Sequence, residues 1–147
     1  MKRTISFTLV LMCFLSMVVC GEKAPTWQEQ YDLGIRYLSE GNYEEAIIAF
    51  NAAIEIDPKQ ALAYVGRGEA YIGSGKTEEN LVVAQADYEK AIELDNMSVE
   101  VYLGLANVYI QAEDYDRALE ILQQGIEKIG DDERIINKMS ETEQLRS

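Results

Sequence analysis

The sequence predicts an all-α fold, a solenoid of three helical hairpins closed by one further helix. First, Gly34 and Tyr37 both recur 34 positions later, which indicates an internal repeat. Second, Ala46 recurs 38 positions later, and that residue recurs again after a further 34. Third, apolar residues between these landmarks follow helical spacing. Periods of this length are typical of repeat architectures, in which each unit buries its apolar face against its neighbours.

The first 21 residues have the pattern of a secretory signal peptide. Lys2 and Arg3 precede an apolar run over residues 5–20. A charged start followed by a short apolar run is typical of such signals. The run is also shorter than the roughly 20 residues that a membrane-spanning helix needs. We therefore predict a signal peptide at residues 1–21 and an exported protein.

Cys20 resembles the lipidated cysteine of bacterial lipoproteins. Met17 and Val19 depart from the leucine and the small residue that are usual before that cysteine. Lipidation at Cys20 would anchor the protein to a membrane of the cell envelope. The alternative is ordinary cleavage after Gly21, which would release a secreted soluble protein. In both cases residues 22–26 form a short tether before the first helix.

The first hairpin is expected over residues 27–60. Gly41 and Asn42 predict the turn between its helices, because both tolerate a left-handed backbone. Pro58 ends the second helix, since the residue before a proline is forced out of helical geometry. The second helix carries a single apolar stripe, formed by Tyr43, Ala46, Ile47, Phe50, Ala53 and Ile54.

The second and third hairpins are expected over residues 61–98 and 99–132. The change in spacing from 34 to 38 places a four-residue insertion between Gly75 and Leu81. Four residues make about one helical turn, and Thr77 is a suitable N-cap for a lengthened helix. One interpretation is a longer helix or loop with no function, and the other is an extra ridge at the rim of a binding face.

The last segment, residues 133–147, is expected to form a capping helix. Asp131 or Asp132 provides its N-cap. The ends of a solenoid need such an element with one polar face. The apolar residues of this helix are Ile135, Ile136, Met139 and Leu145.

The repeat resembles the tetratricopeptide repeat (TPR), whose signature is W-x2-L-G-x2-Y, then A-x3-F, then P. The resemblance implies a right-handed α-solenoid of helix–turn–helix units that binds other proteins. Gln30 stands at the tryptophan position of the first unit, and Arg67 replaces leucine in the second. The matching residues of the first unit are Leu33, Gly34, Tyr37, Ala46, Phe50 and Pro58.

The resemblance also implies a concave groove lined by the first helix of each repeat. Family members that clamp a terminal carboxylate use Lys, Arg and Asn there, and Asn107 alone fits that pattern, so no carboxylate clamp is expected. A mostly aliphatic lining instead predicts an apolar helix or extended segment as ligand. The alternative is that these residues pack between helices or lie under the chain's own termini. The groove positions are Tyr31, Ile35, Leu38, Val65, Glu69, Ile72, Leu103, Asn107 and Ile110.

The composition excludes several functional classes. A formal net charge of −13 opposes nucleic-acid binding, because such a surface repels phosphate. The sequence has no histidine, and both cysteines lie in the signal, which excludes Cys/His nucleophile pairs and zinc sites. Residues 73–77 resemble the end of a phosphate-binding loop, but Ala70 stands where the first glycine should be. We predict no metal, no cofactor and no enzymatic activity.

These observations predict an exported, membrane-anchored scaffold that mediates protein–protein interaction through the groove. The partner would be a protein or peptide segment, and the membrane would be reached only through the N-terminal anchor. The alternative is a self-assembling structural protein of the envelope, a homo-oligomer with no separate peptide ligand.

Overall fold

The computed structural model describes residues 24–94 and 97–147, and these contain seven helices and no strand. The predicted signal peptide, Cys20, the first two tether residues and residues 95–96 lie outside the described residues. The helices are α1 (Trp27–Ser39), α2 (Tyr43–Ile56), α3 (Ala61–Ser74), α4 (Glu78–Glu93), α5 (Val99–Gln111), α6 (Tyr115–Ile129) and α7 (Glu133–Arg146).

The helices form two rows, which confirms the predicted all-α fold. The inner row holds α1, α3, α5 and α7, each of which contacts the next. The outer row holds α2, α4 and α6, and within the described residues no contacts join α2 to α4 or α4 to α6. The inner row is therefore the continuous surface of the molecule. None of the described helices is long and apolar enough to cross a membrane.

Phe50 joins the first two hairpins through contacts with glycines on the inner row. Its side chain is fully buried. A Cβ at Gly34 of α1 would lie 2.6 Å from the Phe50 ring, and a Cβ at Gly66 of α3 would come closer still. Glycine at these two positions lets the helices approach the ring closely.

Tyr88 repeats this arrangement one hairpin later. Its side chain is 2% exposed, and a Cβ at Gly104 of α5 would lie 2.5 Å from its ring. Gly68 of α3 has more room, since a Cβ there would lie 3.3 Å from the same ring. Phe50 and Tyr88 thus each fill the space between two inner helices.

Short polar side chains and glycines with positive φ define the helix ends. Thr26 forms a complete capping box with Glu29 at the start of α1, so this last tether residue is already part of the helix boundary. Gly41 has a φ of 76°, which confirms it as the left-handed turn residue, whereas Asn42 has a negative φ. Asp132 caps α7 by accepting a hydrogen bond from the backbone N–H of Arg134.

The insertion lengthens α4 at its start. The helix has 16 residues against 14 in α2, and Thr77 caps it by accepting a hydrogen bond from the backbone N–H of Asn80. The predicted N-cap is confirmed. The Asn80 side chain also donates to the carbonyl of Gly75 at 2.9 Å, which fixes the added turn against the end of α3.

An ion pair occupies the position at which Arg67 departs from the repeat pattern. Arg67 donates two hydrogen bonds to Asp87, at 2.8 and 2.6 Å, and one to Asn51 at 2.6 Å. The Asp87 side chain is 4% exposed and that of Arg67 21%. Burial raises the pKa of Asp87, and the guanidinium only partly offsets this, while the same bonds raise the pKa of Arg67. A polar network therefore connects α2, α3 and α4.

The capping helix buries a narrower face than its sequence suggests. Ile135 is fully buried, but Ile136 and Leu145 are 46% and 56% exposed. Thr142 is buried instead, and its hydroxyl donates to the carbonyl of Lys138 at 2.7 Å. A helical stripe has room for only some of these positions. Ile136 is adjacent to Ile135, so it points away from the core.

Candidate functional site

The inner row contains two adjoining cavities, which together make the groove. The first, of about 310 Å³, lies between α1 and α3 and reaches the start of α5. The second, of about 360 Å³, lies between α3 and α5. Glu69 and Glu100 line both cavities, so they lie where the two meet.

The structure brings seven of the nine predicted groove residues to these cavities. In the first they are Tyr31, Ile35, Val65 and Glu69, and in the second they are Glu69, Ile72, Leu103 and Asn107. The other two line neither cavity: Leu38 packs on the buried cluster around Phe50, and Ile110 packs on the buried cluster around Tyr88 and Leu105.

The sequence pattern did not identify seven of the residues that line the groove, namely Leu62, Gly66, Tyr88, Ser98, Glu100, Gly104 and Gln111. Leu62 and Glu100 lie three positions before Val65 and Leu103, which places them on the same helical face. This three-residue spacing could have identified Leu62 and Glu100 from the sequence. Gln111 lies at the far end of the second cavity, and its position follows from the length of α5.

Tyr31 connects the groove to the core. Its ring centroid lies 6.2 Å from that of Trp27 and 5.9 Å from that of Phe50, both tilted pairs. Burial raises the pKa of Tyr31, and the charges of Glu69 and Asp32 raise it further. The phenol thus stays neutral and forms an apolar wall with a polar tip.

Glu69 and Glu100 give the groove its electrostatic character. Glu69 is exposed along part of its length, yet burial of its carboxyl raises its pKa, and the charge of Glu100 raises it further. At Glu100, a backbone N–H and the guanidinium of Arg134 lower the pKa. The Arg134–Glu100 ion pair measures 2.8 Å and joins the capping helix to the rim of the groove.

A third cavity, of about 470 Å³, lies beside the inserted turn of α4. Its lining includes Lys76, Glu78 and Val82, and it shares Gln111 with the second cavity. The insertion therefore borders this third cavity. Its role as a ridge at the rim of a binding face stays a prediction.

The groove has the composition of a binding surface. Among the described residues, no three His, Cys, Asp or Glu side chains cluster in a way that could hold a metal ion. Apolar walls with a few convergent polar groups are typical of ligand sites.

Two family models match this chain. The model described as "Tetratricopeptide repeat" matches residues 77–141, and the one described as "TPR repeat" matches residues 34–75. They confirm the tetratricopeptide repeats predicted from the sequence.

Part of this chain also aligns with a plant protein. The chain is 30% identical over 99 residues to Hsp70-Hsp90 organizing protein 3 of Arabidopsis thaliana. That alignment covers 67% of this chain but only 17% of the relative, so the chain spans a small part of its length.

Solved structures agree on the fold. The TPR2B domain in the pHsp70 complex of yeast Sti1 superposes with a TM-score of 0.66 at 29% identity, covering 82% of this chain and 92% of that one. The first TPR of Spaghetti (RPAP3), bound to the HSP90 peptide SRMEEVD, gives a TM-score of 0.72 at 18% identity, covering 81% and 91%. This second likeness shows the fold alone.

Proposed function

We propose that this chain of tetratricopeptide repeats is a non-enzymatic interaction module whose groove holds a segment of another protein. One observation carries the proposal: residues from α1, α3 and α5 line two adjoining cavities on the continuous inner row. Peptide complexes of the Sti1 and RPAP3 domains support the same use of this fold.

We further propose that the module works outside the cytoplasm, tethered to a membrane of the cell envelope through a lipid on Cys20. Lys2, Arg3 and the apolar run over residues 5–20 support export. The short segment 22–26 would then hold the groove close to the membrane surface, where it meets other envelope proteins.

Photo-crosslinking tests the groove. A crosslinking amino acid replaces Leu62, which is 47% exposed and lines the first cavity, in the cells that make the protein. We expect a discrete adduct with another protein. The matched control is Ile48, which is 68% exposed on α2 and does not line either groove cavity. Equal adducts from both positions would refute the groove as the binding site.

A variant with a charge in the first cavity separates specific from accidental adducts. Ile35→Asp places a charge in the first cavity at a position that is 39% exposed, so the fold should tolerate it. With the crosslinker at position 62, the yield of the adduct should fall when Ile35→Asp is added and should persist when Ile48→Asp is added instead. Light scattering on the same samples distinguishes a separate partner from a second copy of the chain.

Cell fractionation and intact mass test the anchor. We expect the wild-type protein in the membrane fraction, with acyl chains on an N-terminal Cys20. Cys20→Ser should move the protein to the soluble fraction. A mature chain that begins at Glu22 without a lipid would exclude the anchor and leave the groove proposal untouched.

A further inference from the structure

Glu69 is a carboxylate without a counter-charge at the centre of the groove. It lines both cavities, and within the described part of the chain it forms no salt bridge or hydrogen bond. Burial and Glu100 both oppose its charge. A partly buried charge of this kind costs stability unless something compensates for it.

The chain supplies little compensation. None of the described residues that line the two cavities is lysine or arginine. Arg134 contacts the lining residue Glu100 at 2.8 Å, and it is shared with Asp132 at 3.2 Å. Arg134 is exposed on the capping helix and belongs to the rim. The centre of the groove therefore has an excess of negative charge.

The far end of the second cavity offers further hydrogen-bond acceptors. The Gln111 side-chain oxygen is buried and has no partner among the described residues. Buried polar atoms without partners are rare in folded proteins. Asn107 lines the same cavity one helical turn earlier.

We infer that the groove takes a segment in which one arginine or lysine is flanked by apolar side chains. This inference rests on the proposed function and specifies its ligand. The cation lies between Glu69 and Glu100, where the two cavities meet. The neighbouring apolar side chains fill the cavities, against Ile35 and Leu62 on one side and Ile72 and Leu103 on the other.

Charge complementarity favours this basic ligand over an acidic one. The HSP90 peptide bound by the RPAP3 domain, SRMEEVD, has one arginine near its start but three acidic residues in its last four positions. Such a peptide would place like charges beside Glu69 and Glu100, and like-charge contacts at an interface are strongly unfavourable. The similar fold therefore serves a different peptide chemistry in this chain.

Fluorescence anisotropy with designed peptides tests the inference on the mature, full-length protein. Three labelled peptides share apolar flanks and differ at one central residue, which is arginine, glutamine or glutamate. We expect the arginine peptide to bind about tenfold more tightly than the glutamine peptide, with the glutamate peptide weakest. The preference should shrink at high salt, because ions screen partly exposed charges.

Two variants assign the preference to the groove. Glu69→Gln should remove most of the difference between the arginine and glutamine peptides. Glu69→Lys should favour the glutamate peptide instead. The matched control is Glu120→Gln, an exposed residue of α6 outside both cavities, which should bind like wild type. Circular dichroism before binding confirms that every variant is folded.

A selection from a random-peptide display library separates the two proposals. Enrichment of a basic residue between apolar ones supports both. The enriched peptides could instead lack a basic residue and still lose their binding in the Ile35→Asp variant. That result would overturn the cationic ligand but keep the groove as a binding site. A library that yields no groove-dependent peptide would overturn both proposals.

Discussion

Arg67 shows how a single residue departs from the repeat pattern without breaking the fold. The first repeat has Leu33 and Ala49 at the positions that correspond to Arg67 and Asp87. The second repeat thus replaces an apolar contact with an ion pair that also binds Asn51. The repeat alignment indicates that Arg67 is unusual. It does not reveal Asp87 as its partner, because that pairing depends on how α3 packs on α4.

The first prediction separates the two halves of this pair. Arg67→Leu should destabilise the protein by about 3–5 kcal/mol, because it leaves Asp87 buried without a partner. The double variant Arg67→Leu with Asp87→Ala reproduces the first repeat and should recover most of that loss. Urea denaturation followed by circular dichroism measures both. A double variant as unstable as the single one would show that the unpaired Asp87 is not the cause of the lost stability.

The second prediction concerns Glu69 and pH. The pKa of Glu69 is raised in the folded protein. Protonation of Glu69 therefore stabilises the folded state relative to its ionised form. This stabilisation is fully present below the unfolded pKa of about 4.3 and is lost as pH rises through the folded pKa. The groups that face it are Tyr31 of α1, Tyr88 of α4 and Glu100 of α5.

Glu69→Gln should therefore stabilise the free protein at pH 7, by less than about 1 kcal/mol because solvent screens an exposed residue. The gain should vanish below about pH 4, where the wild-type carboxyl is protonated. Thermal unfolding across this pH range measures the difference. A gain that persists unchanged at low pH would mean that the charge of Glu69 is not the cause.

At the scale of helices, amphipathic spacing and helix-ending residues predicted the elements well. The turn at Gly41 and the cap at Thr77 lie where the sequence places them. The capping helix was harder, since its apolar residues outnumber the positions that one narrow face can bury. Which of Ile135 and Ile136 enters the core depends on how α7 meets α6, and this is a property of packing.

The third prediction uses these neighbouring isoleucines as a matched pair. Ile135→Ala should cost about 2–4 kcal/mol, because a fully buried side chain leaves a cavity against Gly125 and Tyr102. Ile136→Ala should cost well under 1 kcal/mol, since that side chain is 46% exposed. Chemical denaturation compares them directly, and equal costs would refute the assigned orientation of α7.

The groove illustrates what whole-molecule geometry adds to residue patterns. Family positions located seven residues that line the two cavities. Leu38 and Ile110 lie near the ends of α1 and α5, where they pack on the core and line neither cavity. The unpaired state of Glu69 could not be predicted, since it depends on the absence of a cation from neighbouring helices.

The buried apolar side chains of the described residues form two clusters. One contains Phe50, Ala46 and Ala70, and the larger one extends from Val65 to Ile135. In repeat proteins stability is approximately a sum of local units and the interfaces between neighbours. The first hairpin is therefore expected to open more easily than the rest.

The fourth prediction tests this division. Phe50→Ala should cost about 3–5 kcal/mol, because the ring fills the space between α1 and α3. Amide hydrogen exchange should speed up first in α1 and α2, while α5 to α7 keep most of their protection. Uniform loss of protection along the chain would show a single cooperative unit instead.

Tyr88 has one further consequence. Because Gly104 has no side chain to cover it, this core ring also forms part of the wall of the second cavity. A substitution of Tyr88 or Gly104 at the bottom of the groove would therefore cost stability, whereas the exposed Ile35 and Leu62 at its sides can vary without disturbing the core. Over evolutionary time, new ligand preferences in this protein should arise at the sides of the groove, while its base is inherited unchanged.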